Sequence, residues 1–292
     1  MDRLTALFIN PVLNKEIKLR FRSFKNFLGI LLYLAVCGAI SLAFIYIETQ
    51  FTPDGFTAAD SKNLFMLLSM GQLGLVVFIT PGLTAGAISG EREKQTLNIM
   101  LTTQQSSTSI ILSKLFSSIL FLNLMLIASL PLYSIVFLYG GVSPEMVLIT
   151  FGFQFLTMLT IGSLGILFST IIRKTIVSTI TTYGVMLFLV VGTIILFFIM
   201  IRFILGASQG MPSVNQSTQI MPYLVLILNP AVAMFTSFEP NMFTYEFQQL
   251  GIEWSVWQGF VSAYLTITVF ALLIAINRLR PTTRSIIRKK KA

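Results

Sequence analysis

The sequence predicts an all-α, polytopic membrane protein: one transmembrane domain, residues 1–292, with six membrane-spanning helices. Three observations predict it. Of 292 residues, 55% are hydrophobic and 11% charged, with a mean hydropathy of +0.84, whereas a soluble domain carries roughly a quarter charged residues. Six uncharged runs, at about 27–47, 63–89, 115–140, 146–172, 175–201 and 254–277, are long enough to cross a hydrocarbon core of about 30 Å. The remaining charges are sorted by side. With six spans both termini share a side, and that side collects 18 of the 20 lysines and arginines. Since basic segments stay inside, both termini are expected in the cytoplasm of a cell-membrane protein. Lys62 and Arg202 fall outside with most of the acids. The net charge of +9 thus reflects topology and anionic lipid headgroups; the basic tail 278–292 is not expected to bind nucleic acid.

Residues 3–26 precede the first span and are amphipathic. At about 100° per residue, Leu13, Ile17, Phe21 and Phe24 share one side, and Lys15, Lys18, Arg22 and Lys25 the other. This is an interfacial helix lying on the cytoplasmic leaflet. Arg20 falls on its apolar side, four residues after Glu16, and either snorkels to headgroups or reaches a partner protein. The first span is not expected to be a cleaved signal peptide, because 26 residues precede it and no small-residue cleavage site follows. Cys37, inside that span, is a small packing residue.

The second span carries Gly71, Gly74, Pro81, Gly82 and Gly86, and the third Pro131, which allow close approach and kinks. Amides and hydroxyls are the polar groups within the spans. Gln72, Asn123, Gln154, Thr157 and Gln258 either join helices or line a substrate path. An ion-coupled carrier would need buried ionisable groups, which these spans lack. The external segment 206–253 contains "MPYLVLILNPAVAMF", too short to cross and return as two full helices, so a re-entrant hairpin or outer gate is expected. Asn215-Gln216-Ser217 fits a glycosylation sequon, but the chain looks bacterial.

Between spans two and three lies "SGEREKQTLNIMLTTQ", residues 89–104, where Glu91, Arg92, Glu93 and Lys94 stand side by side. Leu97, Met100 and Leu101 follow at helical spacing, with the acids near the positive N-terminal end. Either this is a solvated turn, or its apolar face needs a partner, since the loop looks too short to fold over itself.

The run "GEREKQTLNIMLTTQQSSTSIILSKL" (90–115) resembles the corresponding loop of type-2 ATP-binding-cassette (ABC-2) permeases. "NPVLNKEIKLRFRSFKNF" (10–27), the six spans and "LNPAVAMF" (228–235) resemble that family too, so the likeness covers nearly the whole chain. Gln95 departs from it, standing where glycine is commoner, and Gln104-Gln105 replace the usual proline. The resemblance implies an exporter permease of the drug- or peptide-exporting branch. Residues 90–104 would be a coupling helix in a groove of a cytoplasmic ATPase subunit, with Glu91, Arg92, Glu93, Lys94, Thr96, Leu97, Met100 and Leu101 as contacts. The N-terminal helix would touch the same subunit. Two permease copies, or this chain and a sister permease, would pair.

The residues agree that catalysis lies elsewhere. The chain has no phosphate-binding Gly-x-x-x-x-Gly-Lys-Ser/Thr loop, no His and one Cys. ATP and magnesium are therefore expected on the partner, and no cofactor, metal or catalytic residue on this chain. The apolar, Phe-rich spans suit a hydrophobic or amphipathic cargo such as a drug, peptide or lipid-like molecule. A non-transporting immunity or sensory subunit on the same scaffold, or a polysaccharide-type permease, are the alternatives.

Overall fold

The computed structural model of the chain describes residues 24–51, 55–102, 106–207, 216–239 and 255–279. Among them all regular structure is helical, and six helical spans are long and apolar enough to cross a membrane. The expected interfacial residues Lys15, Glu16, Lys18, Arg20 and Arg22 lie outside the described residues, as do 103–105, parts of the external segment and the tail; Lys25 is described only in its backbone.

The first span is α1 (Phe24–Phe51) and the second α2 (Ala58–Thr84). Helix α2 starts ahead of the uncharged run because Thr57 and Asp60 form a capping box. The Asp60 carboxylate accepts the Thr57 N–H at 2.9 Å, and the Thr57 hydroxyl accepts from the Asp60 N–H. A turn at 85–88 leads into two short helices, α3 (Ser89–Glu93) and α4 (Thr96–Thr102). The third span is broken at Ser129 into α5 (Ser107–Ala128) and α6 (Leu130–Tyr139). Pro131 sits in the first turn of α6, where its missing N–H would not have been bonded within the helix.

The fourth span is α7 (Pro144–Ile171), started by Ser143, whose hydroxyl accepts the Met146 N–H. The fifth comprises α8 (Thr175–Leu187), a π-helical turn (Phe188–Gly192) and α9 (Thr193–Ala207). Then α10 (Gln216–Ile227) and α11 (Pro230–Phe238) form a helical hairpin, and α12 (Val256–Leu279) is the last span.

Helix α7 is the centre of the bundle and packs most extensively on α12 and α2. A Cβ on Gly165 would lie 2.2 Å from the Thr84 hydroxyl oxygen, so α2 and α7 can cross there only at a glycine. The glycines expected to bring span two close to a neighbour divide. Gly82 and Gly86 face Tyr183 and Thr175 of α8, whereas Gly71 and Gly74 meet nothing.

The two largest of three apolar clusters fill most of the interior. The larger joins Phe65, Tyr133, Phe153, Phe238, Phe260 and Tyr264. The smaller lies at the end where α2 and α12 finish and α5 begins, and contains Ile88, Leu97, Ile110, Ile111, Leu115, Ile166, Ala275 and Leu279. This is the loop end. At the opposite, hairpin end, Lys62 pairs with Glu239 and Phe65 stacks edge-on with Phe238. The first and fifth spans are the least buried and turn Leu31, Leu42, Ile180 and Phe198 outward.

Candidate functional site

The segment after α2 is fastened to the bundle by hydrogen bonds that begin before its charges. The Ser169 hydroxyl of α7 accepts the N–H groups of Ile88 and Ser89 at 2.8 and 2.9 Å, satisfying donors that α3 leaves open at its start. The Ser178 hydroxyl of α8 donates to the Ala85 carbonyl at 2.7 Å.

The three charges that follow each reach a different span. Lys114 of α5, almost fully buried, donates to Glu91 at 3.2 Å, and the Thr96 hydroxyl donates to the same carboxylate. Arg92 donates to the Thr170 carbonyl at the end of α7, at 3.0 Å. Glu93 accepts both the backbone N–H and the hydroxyl of Thr175, each at 2.8 Å. Lys174, next to the first turn of α8, provides no side-chain cap, so Glu93 caps that helix from the loop.

Both carboxyls lie beyond the end of α2. The Thr175 backbone N–H and hydroxyl hold Glu93 below the usual carboxylate range. Partial burial works to raise Glu91, but Thr96 and Lys114 together outweigh it and carry that carboxyl below its ordinary value. Both are therefore ionised near neutral pH.

The expected single helix over 90–104 is two helices meeting at Gln95, whose φ of 61° is in the left-handed region. Gln95 is the residue just past the end of α3, where helices most often carry glycine. Gln95, where the sequence departs from the family, thus occupies the one positive-φ non-glycine position among the described residues.

Leu97 corrects the expectation that the loop cannot bury its own apolar face. It is 5% exposed, and Met100 and Leu101 pack beside it on the cluster formed by α5, α7 and α12. The cover comes from the chain itself, from α5 close by and from α12, more than 170 residues along the sequence. Among the described side chains of the loop, Lys94, Gln95, Thr96 and Asn98 are exposed.

The polar residues singled out within the spans are not all brought together. Gln72 and Gln154 come together inside the bundle. Gln72 donates to Ser129 at 2.8 Å and accepts from Tyr133, and Gln154 donates to Gln72 at 3.3 Å and to the Ser69 carbonyl at 3.2 Å. All are fully or nearly fully buried and join spans two, three and four. Thr157 bonds the Phe153 carbonyl of its own helix. Gln258 is exposed at the start of α12 and accepts from the Ser255 N–H, and Asn123 is half-buried outside the network. Among the described residues no group of three or more His, Cys, Asp or Glu could hold a metal ion.

Lys114, Ser169, Thr170 and Thr175, the receiving side of the loop's anchors, had no role assigned from sequence. Lys114 carried a signal as the lone cation near the start of a span. The others are hydroxyl residues indistinguishable in sequence from those bonding their own helices. Asn229, the buried residue ahead of Pro230, entered only as part of the family-like run 228–235 with no role assigned, although an Asn followed by Pro is a helix-start signal.

Compared with curated proteins, the chain matches none. The family described as "ABC-2 family transporter protein" matches residues 11–279, from the expected interfacial segment through the last residue of α12. The chain belongs to the ABC-2 transporter family, as a multi-pass membrane permease.

Proposed function

We propose that this chain is the permease subunit of an ABC exporter, moving a hydrophobic or amphipathic cargo out of the cell, with the 89–102 loop in the cytoplasm as the seat of a separate ATPase subunit. The family implies association with ABC ATPase subunits in general. The observation that carries the finer reading is the set of three anchors. Glu91, Arg92 and Glu93 tie one short segment to α5, α7 and α8, while Lys94, Gln95, Thr96 and Asn98 look outward. A protein pressing on that outward face moves the ends of three spans together. A solvated turn needs no such fastening.

Contacts divide accordingly. Lys94, Thr96 and Asn98 meet the ATPase directly, Glu91 and Glu93 transmit, and Leu97, Met100 and Leu101 seat α4 on the permease. ATP and magnesium reside on the partner, and a second permease copy or a sister permease covers part of the outward apolar surface of spans one and five.

The roles separate in one experiment with the co-expressed ATPase subunit. The pair Lys94→Glu with Asn98→Glu is expected to lose co-purification while the permease stays folded. Glu93→Gln keeps the cap weakly, so it is expected to retain the ATPase but lose its stimulation by the permease. Full co-purification with the outward pair would refute the docking assignment.

A further inference from the structure

The fifth span contains a π-helical turn, Phe188–Gly192, beside the tip of the α10–α11 hairpin. Its buried residues are Ser178, Thr182, Leu189, Thr193 and Phe197. From Ser178 to Phe197 is nineteen residues, which at about 100° each overshoots five whole turns by about 100°. A π turn absorbs one extra residue. The fifth span therefore keeps one buried stripe along its length because of this turn. In a purely α-helical register Thr193 and Phe197 would swing about 100° towards the surface now occupied by Ile195 and Phe198.

The widened turn has a side-chain partner. The Asn229 amide donates to the Val190 carbonyl at 2.7 Å and to the Thr193 hydroxyl at 2.8 Å, and that hydroxyl donates to the Leu189 carbonyl. The amide oxygen of Asn229 accepts the N–H groups of Ala231 and Val232 at 2.9 and 3.0 Å, which starts α11. Those two backbone donors fix which way the amide points. Asn229 is fully buried, with both N–H groups and its oxygen engaged. Val190 lies fifteen residues into the span, about 22 Å from its start, so the hairpin tip reaches the middle of the bundle. Tyr264 of α12 donates to the neighbouring Leu228 carbonyl at 2.9 Å, and Ile227 rests against Gly259, where a Cβ would lie 2.6 Å from it.

We propose that Asn229 is a positioning residue that locks the π register of the fifth span, so that movement of the hairpin tip and rotation of α9 are one event. While the amide holds Val190, the wide turn is satisfied at a depth where water is scarce. Withdrawal of the tip removes that partner and favours the α register, whose carbonyls bond within the helix. The result is two discrete orientations of α9 selected by the hairpin. This holds whichever way cargo moves and independently of the loop at the opposite end.

The test is spin-label oxygen accessibility at 176, at 180 and at each position from 193 to 203, in the full chain with Cys37→Ala, reconstituted in lipid nanodiscs. With Asn229 present, accessibility is expected to be low at 193 and 197 and high at 195 and 198. Asn229→Asp keeps the acceptor for Ala231 and Val232 but loses the donor to Val190. It is expected to move the maxima by one position along α9 while those at 176 and 180 in α8 stay in place. A second variant works even if that one does not fold. Deleting Val191 removes the extra residue, so the chain is expected to fold with the wild-type pattern in α9. An unchanged pattern in Asn229→Asp, or a rotated or unfolded α9 on deletion of Val191, overturns the proposal.

Discussion

Glu91 and Lys114 make an asymmetric ion pair, and the asymmetry is testable. The Lys114 side chain is 5% exposed and that of Glu91 26%, with 3.2 Å between them. At an effective dielectric of about 20 their attraction is about 5 kcal/mol before desolvation is counted. Glu91→Gln leaves the ammonium buried beside a neutral amide. Breaking a buried pair in this way costs about 3–5 kcal/mol, and the partial exposure of Glu91 places the expected loss near 3 kcal/mol. Lys114→Met fills similar space without charge and lets Glu91 rehydrate while keeping Thr96, so about 1 kcal/mol is expected. The double variant is expected to resemble Lys114→Met alone, giving a coupling of about 2–3 kcal/mol. Reversible unfolding in mixed micelles, monitored on all four proteins, measures these terms. Equal losses for the two single variants, or additive losses in the double, would refute the buried-lysine reasoning.

Three further outcomes are expected. Gln95→Gly relieves the left-handed backbone and stabilises the chain by up to about 1 kcal/mol, while Gln95→Val destabilises it; the same unfolding assay reads both. Gly165→Ala forces apart the α2–α7 crossing and costs about 1–3 kcal/mol, whereas Gly71→Ala, which meets nothing, is near neutral. In intact cells with Cys37→Ala, a cysteine in place of Lys62 is expected to react with an impermeant maleimide and one in place of Lys94 is not, because the six-span reading of the sequence assigns 18 of the 20 basic residues to the loop side.

The spans were legible because each repeats one physical fact, a lipid-length uncharged stretch. Their limits were less so. Thr57 and Asp60 extend the second span through a charged first turn by capping chemistry, which a count of uncharged residues overlooks. The break at Ser129 had its sign in Pro131, and the hairpin had its sign in Pro230. The π turn had none: "LFLVVGT" reads as an ordinary apolar stretch, and the amide that bonds its Val190 carbonyl lies 39 residues away. In the loop, the charges stood out in the sequence but not their partners, because Lys114, Thr170 and Thr175 meet them only after the bundle forms. Leu97 misled for the same reason, since its cover comes partly from the last span.

The most direct measurement of the loop's role is site-specific photo-crosslinking to the co-expressed ATPase subunit in native membranes. A photoreactive residue in place of Asn98, on the exposed face of α4, is expected to capture that subunit. The same residue in place of Leu97, on the buried face, is expected to crosslink only within the permease. Capture of the ATPase from position 97, or its absence from both 98 and 94 while the complex still co-purifies, would contradict docking on the outward face of this loop.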